Sequence, residues 1–384
     1  HLLSRRQRQM CIRDRYKITI ILLFLIGSVN GFSQRRHHIH LPDLPGYKTL
    51  KCDLHTHTIF SDGRLWPDVR VEEAWRDGLD AIALTDHINY KSPIIRKYLK
   101  CEDENAAYNE ALFIARQLGV TLIKGAEINM SKDIGHFNVL FMDDLNEIKV
   151  VDKDYLRSLR KAKKKGAFVQ WNHPLSKWNE NHEKMYKEGL FDGLEIYNFN
   201  KIYKHACKWA DDRKMIITCG SDIHYLMDMK ITDSHRPMTL VFAEENTIKS
   251  IKEAIMEHRT AVYFADTIMG RMEHLKPLFE EGVSMEYMPR VPNKKNCYIH
   301  IKNDTDINFT LELVKKSSYV GLPKIIHLKA NEITQVTMSF KTKDYIKKNT
   351  FLGVYKILNF KTLLGESLKI ELNLDNAINK NSRK

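Results

Sequence analysis

Cysteine is scarce in this chain. There are six in 384 residues (Cys11, Cys52, Cys101, Cys207, Cys219 and Cys297), with no CxxC pair and no regular spacing. That excludes a disulfide framework or a zinc ribbon in a chain of this length. Cys52 and Cys219 lie inside apolar stretches and read as small core residues. Internal repeats and low-complexity segments are missing. The apolar run Ile18–Ile26 has only nine residues, too few to span a bilayer. What the chain does have is a soluble-type balance, 43% hydrophobic and 28% charged, and enough length for one large domain plus a smaller one.

The formal charge is +13, from 61 basic and 48 acidic residues. Arg5, Arg6, Arg8, Arg13 and Arg15 supply part of it within the first fifteen positions. The rest is thinly spread, with Lys161, Lys163, Lys164 and Lys165 as the densest run. That run closes a predicted helix, where cations suit the dipole and stay solvated, so charge alone points to no nucleic-acid partner.

Arg13, Arg15 and Lys17 precede the apolar run, and Gly27 to Gln34 follow it with small and polar residues. This order is that of a secretory signal peptide cleaved after Ser33, which predicts a periplasmic or secreted protein with no membrane span left after cleavage. The stretch Ser4–Arg15 resembles translated adapter sequence. Residues 1–33 are therefore set apart as adapter plus signal segment, and 34–47 as a polar linker.

From there short apolar runs alternate with amphipathic stretches. Strands are expected at Leu50–Leu54, Ala81–Leu84, Thr121–Gly125, Phe137–Met142, Ala167–Trp171, Gly193–Tyr197, Ile216–Cys219 and Thr239–Phe242. Helices are expected at Asp68–Asp77, Asn105–Leu118, Tyr155–Lys165, Ile202–Arg213 and Thr247–His258. Gly78, Gly119, Gly166 and Gly189 fit positions just past helix ends. The alternation predicts a parallel α/β fold, and about eight strands predict a barrel, over residues 48–268.

Met269–Met288 reads as a helical or irregular connector, with the connector as a whole spanning 269–292. Residues 293–376 then turn to strict period two: Phe309/Leu311/Leu313, Val336/Met338/Phe340 and Leu368/Ile370/Leu372/Leu374 alternate with polar residues. This predicts a small antiparallel β-sandwich, an autonomous unit with its own core, followed by a polar tail at 377–384.

The chemistry lies in where histidines and acids fall. Asp53-Leu54-His55-Thr56-His57 ends the first strand, and residues two apart share a strand face. Asp62 follows in the loop. Thr85-Asp86-His87 closes the second strand and Gly125-Ala126-Glu127 the third. His136 opens the fourth, Asn172-His173-Pro174 ends the fifth, and Ser221-Asp222-Ile223-His224 ends the seventh. Barrel active sites gather at strand C-terminal ends, and five of these six groups obey that rule. One such residue alone is more often a cap or a satisfied loop group; six at successive strand ends are hard to explain by packing. Imidazoles and carboxylates without thiolate suit zinc, manganese or iron. Asp53 and Asp86 either orient ligands from behind or satisfy backbone donors. Arg64, Lys132, Tyr197, Asn198, Tyr225, His235 and Arg236 lie on nearby loops as possible substrate contacts. Arg236 is the preferred phosphate ligand because guanidinium offers a two-pronged fork, set against simple pairing with a carboxylate.

The His-Thr-His-Thr-x-x-Ser-Asp-Gly opening, the Thr-Asp-His, Gly-x-Glu and Asn-His-Pro motifs and the closing Ser-Asp-x-His resemble the PHP (polymerase and histidinol phosphatase) superfamily over about Lys48–Asp266. The resemblance implies a distorted seven-stranded (β/α) barrel holding two or three divalent ions. It implies one ion on His55, His57, Glu127 and Asp222, a second on Glu127, His136 and His173, and a third on Asp62, His87 and His224. Histidinol-phosphatase relatives can carry a histidine beside the Asp62 position, where this chain has Gly63. The implied activity is hydrolysis of a small phosphate ester by a hydroxide bridging two ions, with Asp222, His224 and Arg236 in catalytic roles. An exported barrel followed by a β-rich domain resembles the phosphodiesterase branch. Alternatives are a histidinol-phosphatase-like monoesterase and a non-catalytic metal- or ligand-binding module. No oligomeric state is implied.

Overall fold

The computed structural model describes residues 35–93, 97, 99–175, 177–227, 235–288, 296–340 and 351–373. The signal and adapter segment, Cys11, Leu374 and the polar tail lie outside the described residues.

The first half of the chain alternates strand and helix. In order come β1 (Lys48–Asp53), α1 (Pro67–Arg76), β2 (Ala81–Leu84), α2 (Ala106–Leu118), β3 (Thr121–Asn129), β4 (His136–Leu140), α3 (Tyr155–Lys164) and β5 (Phe168–Asn172). Then follow α4 (Glu180–Lys187), β6 (Gly193–Asn198), β7 (Lys201–Ile202), α5 (Lys204–Asp212), β8 (Ile216–Gly220), β9 (Met238–Ala243), α6 (Ile248–Met256), β10 (Thr260–Phe264), β11 (Thr267–Gly270) and α7 (Met272–Gly282). The C-terminal part is all strand: β12 (Val283–Met288), β13 (Asn296–Asn303), β14 (Phe309–Lys316), β15 (Val320–Gly321), β16 (Ile325–Leu328), β17 (Ile333–Phe340), β18 (Phe351–Lys361) and β19 (Ser367–Asn373).

Helix ends follow local chemistry. Asp154 caps α3 by accepting from the Arg157 amide, and Thr247 caps α6 by accepting from Ser250. The four expected glycines follow helix ends with φ between 66° and 86°, a region closed to most side chains.

The barrel wall runs β9-β1-β2-β3-β4-β5-β6, with β8 beside β6. The all-parallel expectation fails at two places. β4 is antiparallel to both neighbours, and β9 is antiparallel to β1. Only residues 130–135 separate β3 from β4, too few for a crossover helix, so the chain turns back as a hairpin. The barrel closes from β8 to β9 and β10 through threonines. Thr239 Oγ1 takes the Cys219 amide at 2.9 Å and donates to the Cys219 carbonyl at 2.8 Å, and Thr260 Oγ1 donates to the Ile217 carbonyl at 2.9 Å. Cys52 and Cys219 are buried core residues, and the described cysteines are all free thiols. No helix among the described residues is long and apolar enough to cross a membrane.

The C-terminal strands form a sandwich, with β12-β13-β17-β15 on one side and β16-β14-β18-β19 on the other. Phe309, Leu311, Val336, Met338, Leu368, Ile370 and Leu372 face the core as the period-two pattern predicts, while Leu313 and Phe340 are half-buried. Two expectations are corrected. The supposed connector contains α7 and then β12, which is itself a sandwich strand. The sandwich also does not have a core to itself. β11 pairs in parallel with β18 (Ile268 with Phe360), so barrel and sandwich share a sheet. One apolar core runs from Leu79, Leu240 and Phe242 through Leu275 and Phe279 of α7 to Phe309 and Phe360. The reason is that α7 has buried residues (Leu275, Leu278, Phe279) that meet both sides.

Candidate metal centre

All nine predicted ligands converge at one end of the barrel. β4 is the reversed strand, so its first residue, His136, stands beside Asn129 at the end of β3 and Asn172 at the end of β5. That is why a strand-opening histidine joins residues from strand ends. Beyond β1 the chain stays extended, Thr56 bridging to Ile223 and the His57 amide donating to the Ile223 carbonyl at 3.2 Å. The loop then folds back so tightly that a Cβ on Gly63 would sit 2.7 Å from the His57 carbonyl. His173 and Asp222 adopt left-handed backbone, φ 29° and 50°, a local strain typical of sites held by their surroundings.

The donor atoms cluster as His57/Asp62/His87/His224, as His55/Glu127/His173 and as His55/His57/Asp222. Within the three ligand sets expected from the sequence they also stand close together. In the first, His55 Nε2 and His57 Nε2 are 3.2 Å apart, with Asp222 Oδ1 at 3.3 and 3.1 Å and Glu127 Oε2 at 3.4 and 3.3 Å from them. In the second, the other Glu127 oxygen lies 3.2 Å from His136 Nδ1 and 3.5 Å from His173 Nε2. In the third, Asp62 lies 3.5 Å from His87 Nε2 and 3.2 Å from His224 Nε2. Four donors each ~2.0–2.1 Å from a tetrahedral zinc-like ion stand roughly 3.3 Å apart, which is the spacing of the first group. His87 faces Asp62 with Nε2 while its Nδ1 lies 3.1 Å from Glu127 Oε2, so its ring stands between the third group and the shared carboxylate. The residues fit divalent cations.

Electrostatics point the same way. Burial alone would raise the Glu127 carboxyl, but the charges of His55 and His87 and hydrogen bonds from His136 and His173 hold it well below its ordinary value. Asp222 is likewise held low against burial by His55 and His57, and Asp62 by hydrogen bonds from His224 and His87. Burial works against charge on the imidazoles too, yet Asp222 and Glu127 raise His57 to about 10. His55 goes well above its ordinary value beside Asp222, Glu195 and Glu127, and His173 rises beside Glu127 and Asp222. The cage holds buried negative charge that positive charge must balance.

The supporting residues divide cleanly. Asp86 accepts from the Thr58 amide (2.8 Å), Thr58 Oγ1 (2.6 Å) and Ser61 Oγ (2.6 Å), pinning the loop that leads to Asp62. Asp53 accepts from Ser221 Oγ at 2.5 Å and from the Ser221 amide at 3.1 Å. Asn172 donates to Glu127 Oε1 at 2.8 Å, and the His224 Nδ1–H donates to the Asp222 carbonyl at 2.8 Å, leaving Nε2 free to ligate. Sequence reasoning missed Glu195. It is fully buried in β6, with Oε1 3.0 Å from His55 Nδ1, and its signal was a lone acid inside the apolar run Leu194-Glu195-Ile196. It also missed Arg70, whose guanidinium ties together the His57, Ile223 and Tyr225 carbonyls.

Arg236 is the correction. Its Nε is 3.1 Å from Asp53, Nη2 3.3 Å from Glu73 and Nη1 3.4 Å from Asp77, and its side chain is 1% exposed. The buried guanidinium faces three carboxylates, with a hydrogen bond from Nη2 to Glu73, and is not presented to a phosphate arriving from solvent. His235 stacks on Tyr263 at 3.7 Å instead of facing the ligands. Arg64, by contrast, is exposed, lies over the Tyr225 ring at 4.5 Å, and donates its amide to the His224 carbonyl at 2.8 Å.

The chain is similar to known proteins over both of its parts. Residues 53–190 match the model of the PHP domain, and residues 283–373 match an Ig-like domain family. A crystal structure of a two-domain protein from Bacteroides vulgatus, containing a predicted PHP-like metal-dependent phosphoesterase, is 37% identical. The match covers 89% of this chain and all of that one, with a TM-score of 0.82. A 5'-3' exoribonuclease from Haemophilus influenzae is 36% identical over 81 residues, which is 21% of this chain and only 24% of that enzyme.

Proposed function

Because this chain belongs to the PHP family of metal-dependent phosphoesterases, as a two-domain member with an Ig-like C-terminal domain, we propose that it hydrolyses small phosphodiesters outside the cytosol. The observation that carries the reading is the shared carboxylate, Glu127, whose two oxygens face two different histidine groups. On this reading His55, His57, Glu127 and Asp222 hold one divalent cation, Glu127, His136 and His173 a second, and Asp62, His87 and His224 a third. Bound there, zinc, manganese or iron would make water acidic enough to act as a nucleophile near neutral pH and offset charge on phosphate oxygens. The protein's own part is to fix each imidazole tautomer, keep its carboxylates ionised and hold the loops in place.

Diesters are preferred over monoesters on charge. Arg70 and Arg236, both close to the ligand loops, spend their guanidinium groups on protein acceptors. A dianionic monoester would need that missing positive charge more than a monoanionic diester does. The H. influenzae relative is named for cleaving RNA, whose linkages are diesters. Export rests on the basic-apolar-small order from Arg13 to Gln34, and an Ig-like domain is compatible with it.

The test is metal analysis followed by kcat/KM on bis(p-nitrophenyl) phosphate and p-nitrophenyl phosphate. A preference for the monoester by tenfold, about 1.4 kcal/mol in transition-state stabilisation, would overturn the diesterase reading. Full metal loading with no turnover of either would make the barrel a binding module.

A further inference from the structure

We propose that Glu195 is a positioning residue that couples the first two ligand groups, so that their cations bind as a pair; this rests on the metal-centre reading above. Glu195 sits on β6 between the core residues Leu194 and Ile196 and has no exposed surface. Both of its oxygens are taken by protein donors, so it is not itself a ligand. Oε1 faces His55 Nδ1 at 3.0 Å. Oε2 accepts the His173 amide at 2.8 Å and Asn198 Nδ2 at 2.9 Å, and that same Nδ2 is 3.2 Å from Asp222 Oδ2.

One carboxylate thus reaches three separate ligands. An ion held on His55 Nε2 beside Asp222 and Glu127 would use the lone pair of that nitrogen, which leaves Nδ1 to carry the proton donated to Glu195. His173 holds its left-handed backbone, φ 29°, with its amide anchored on Glu195. Asp222 is steadied through Asn198. In the expected ligand sets His55 and Asp222 belong to the first and His173 to the second, with Glu127 between them, its Oε2 3.4 Å from His55 Nε2 and its Oε1 3.5 Å from His173 Nε2. β8 is shaped to admit this contact: a Cβ on Gly220 would lie 2.7 Å from Glu195 Oε1 and 2.5 Å from His55 Cβ.

Glu195→Gln isolates the effect because the amide has the same shape but only one acceptor. If its oxygen faces His55, its NH2 meets two donors, the His173 and Asn198 N–H groups. If it turns round, its NH2 meets His55 Nδ1, which must then lose its proton and place one on Nε2, where the ion should bind. Either way a ligand of one group is disturbed, and the shared Glu127 transmits the loss to the other. The experiment titrates metal-free wild type and variant with Zn²⁺ against a competing chelator, and reads the histidine tautomers by 15N NMR of the imidazoles. We expect Glu195→Gln to melt within a few degrees of wild type in the metal-free state, to weaken binding of both ions by about 10- to 100-fold, and to change the His55 tautomer signal. Gly220→Ala should act in the same direction. If Glu195→Gln does not fold, Asn198→Ala, which removes one of the three donors, is titrated instead and should weaken both ions to a smaller degree. A folded variant that keeps wild-type affinity for both ions, or loses one while the other is unchanged, overturns the coupling. Wild-type stoichiometry and turnover decide the metal-enzyme reading separately, since the coupling is read only from variant-to-wild-type affinity ratios.

Discussion

Replacing Glu127 by glutamine tests the centre at its shared point. The amide oxygen will take the Oε1 position, because Asn172 donates there at 2.8 Å and an NH2 would meet that donor head-on. The NH2 then occupies the Oε2 position, 3.3 to 3.4 Å from the Nε2 atoms of His57 and His55. The first group therefore loses a charged oxygen and receives a donor in its place, while the second keeps a neutral oxygen. Outer-shell partners of metal ligands are worth about 10- to 100-fold in affinity, and losing a direct ligand exceeds that range. The first ion should weaken by more than ~100-fold, which corresponds to about 2.8 kcal/mol, and the second by less. Dialysis against a chelator followed by elemental analysis should find less than wild-type metal, and bis(p-nitrophenyl) phosphate turnover should collapse. Full stoichiometry with near-normal turnover would refute the assignment of Glu127 as the shared ligand.

Three further outcomes follow from the same geometry. Because His57 is raised to about 10 and His55 lies above its ordinary value, protons compete with cations at every pH below that, so affinity should climb from pH 6 to 9. Calorimetric titrations in buffers of different ionisation enthalpy should show proton release, and uptake with none would contradict it. Arg236→Ala leaves Asp53, Glu73 and Asp77 without their shared cation and should cost about 3–5 kcal/mol in chemical denaturation, with KM little changed in protein that remains folded. A selective rise in KM without loss of stability would restore Arg236 as a substrate ligand. Phe279, packed edge-on to Phe309 at 5.2 Å, joins barrel to sandwich, so Phe279→Ala should cost about 3–5 kcal/mol and lower both halves in one transition. Two separated melting transitions would mean the sandwich is autonomous after all.

The strand–helix alternation was readable because buried strands and amphipathic helices write their periods directly into the chain. β2, Ala81–Leu84, lies where the apolar run predicts. The β10–β11 hairpin was missed because its turn, Ala265-Asp266, has positive φ at both residues (43° and 53°) without the glycine that normally advertises one. α4 was announced only by Gly189 past its end, because its eight residues are mostly polar, with His182 and Met185 as its buried contacts. The reversed direction of β4 needed the observation that six residues cannot hold a crossover.

The nine candidate ligand positions could be read from the sequence itself, because a metal site needs particular donor atoms and few other residues supply them. Their number and order along the chain also named the family. What those side chains touch was decided only by the tertiary structure. Arg236 and Glu195 show this in opposite directions. A guanidinium near the ligands in sequence turned inward to three carboxylates, and a glutamate inside an apolar strand turned out to hold two of the histidines. Sequence records the chemistry a side chain can offer. The direction of a buried charge depends on which opposite charge or donor the fold brings within reach, and those partners lie 183, 163 and 159 positions away for Arg236's interior partners Asp53, Glu73 and Asp77, and far along the chain for Glu195 and His55 too. The union of barrel and sandwich is of the same kind, since the pairing of Ile268 with Phe360 exists only once two distant segments have packed.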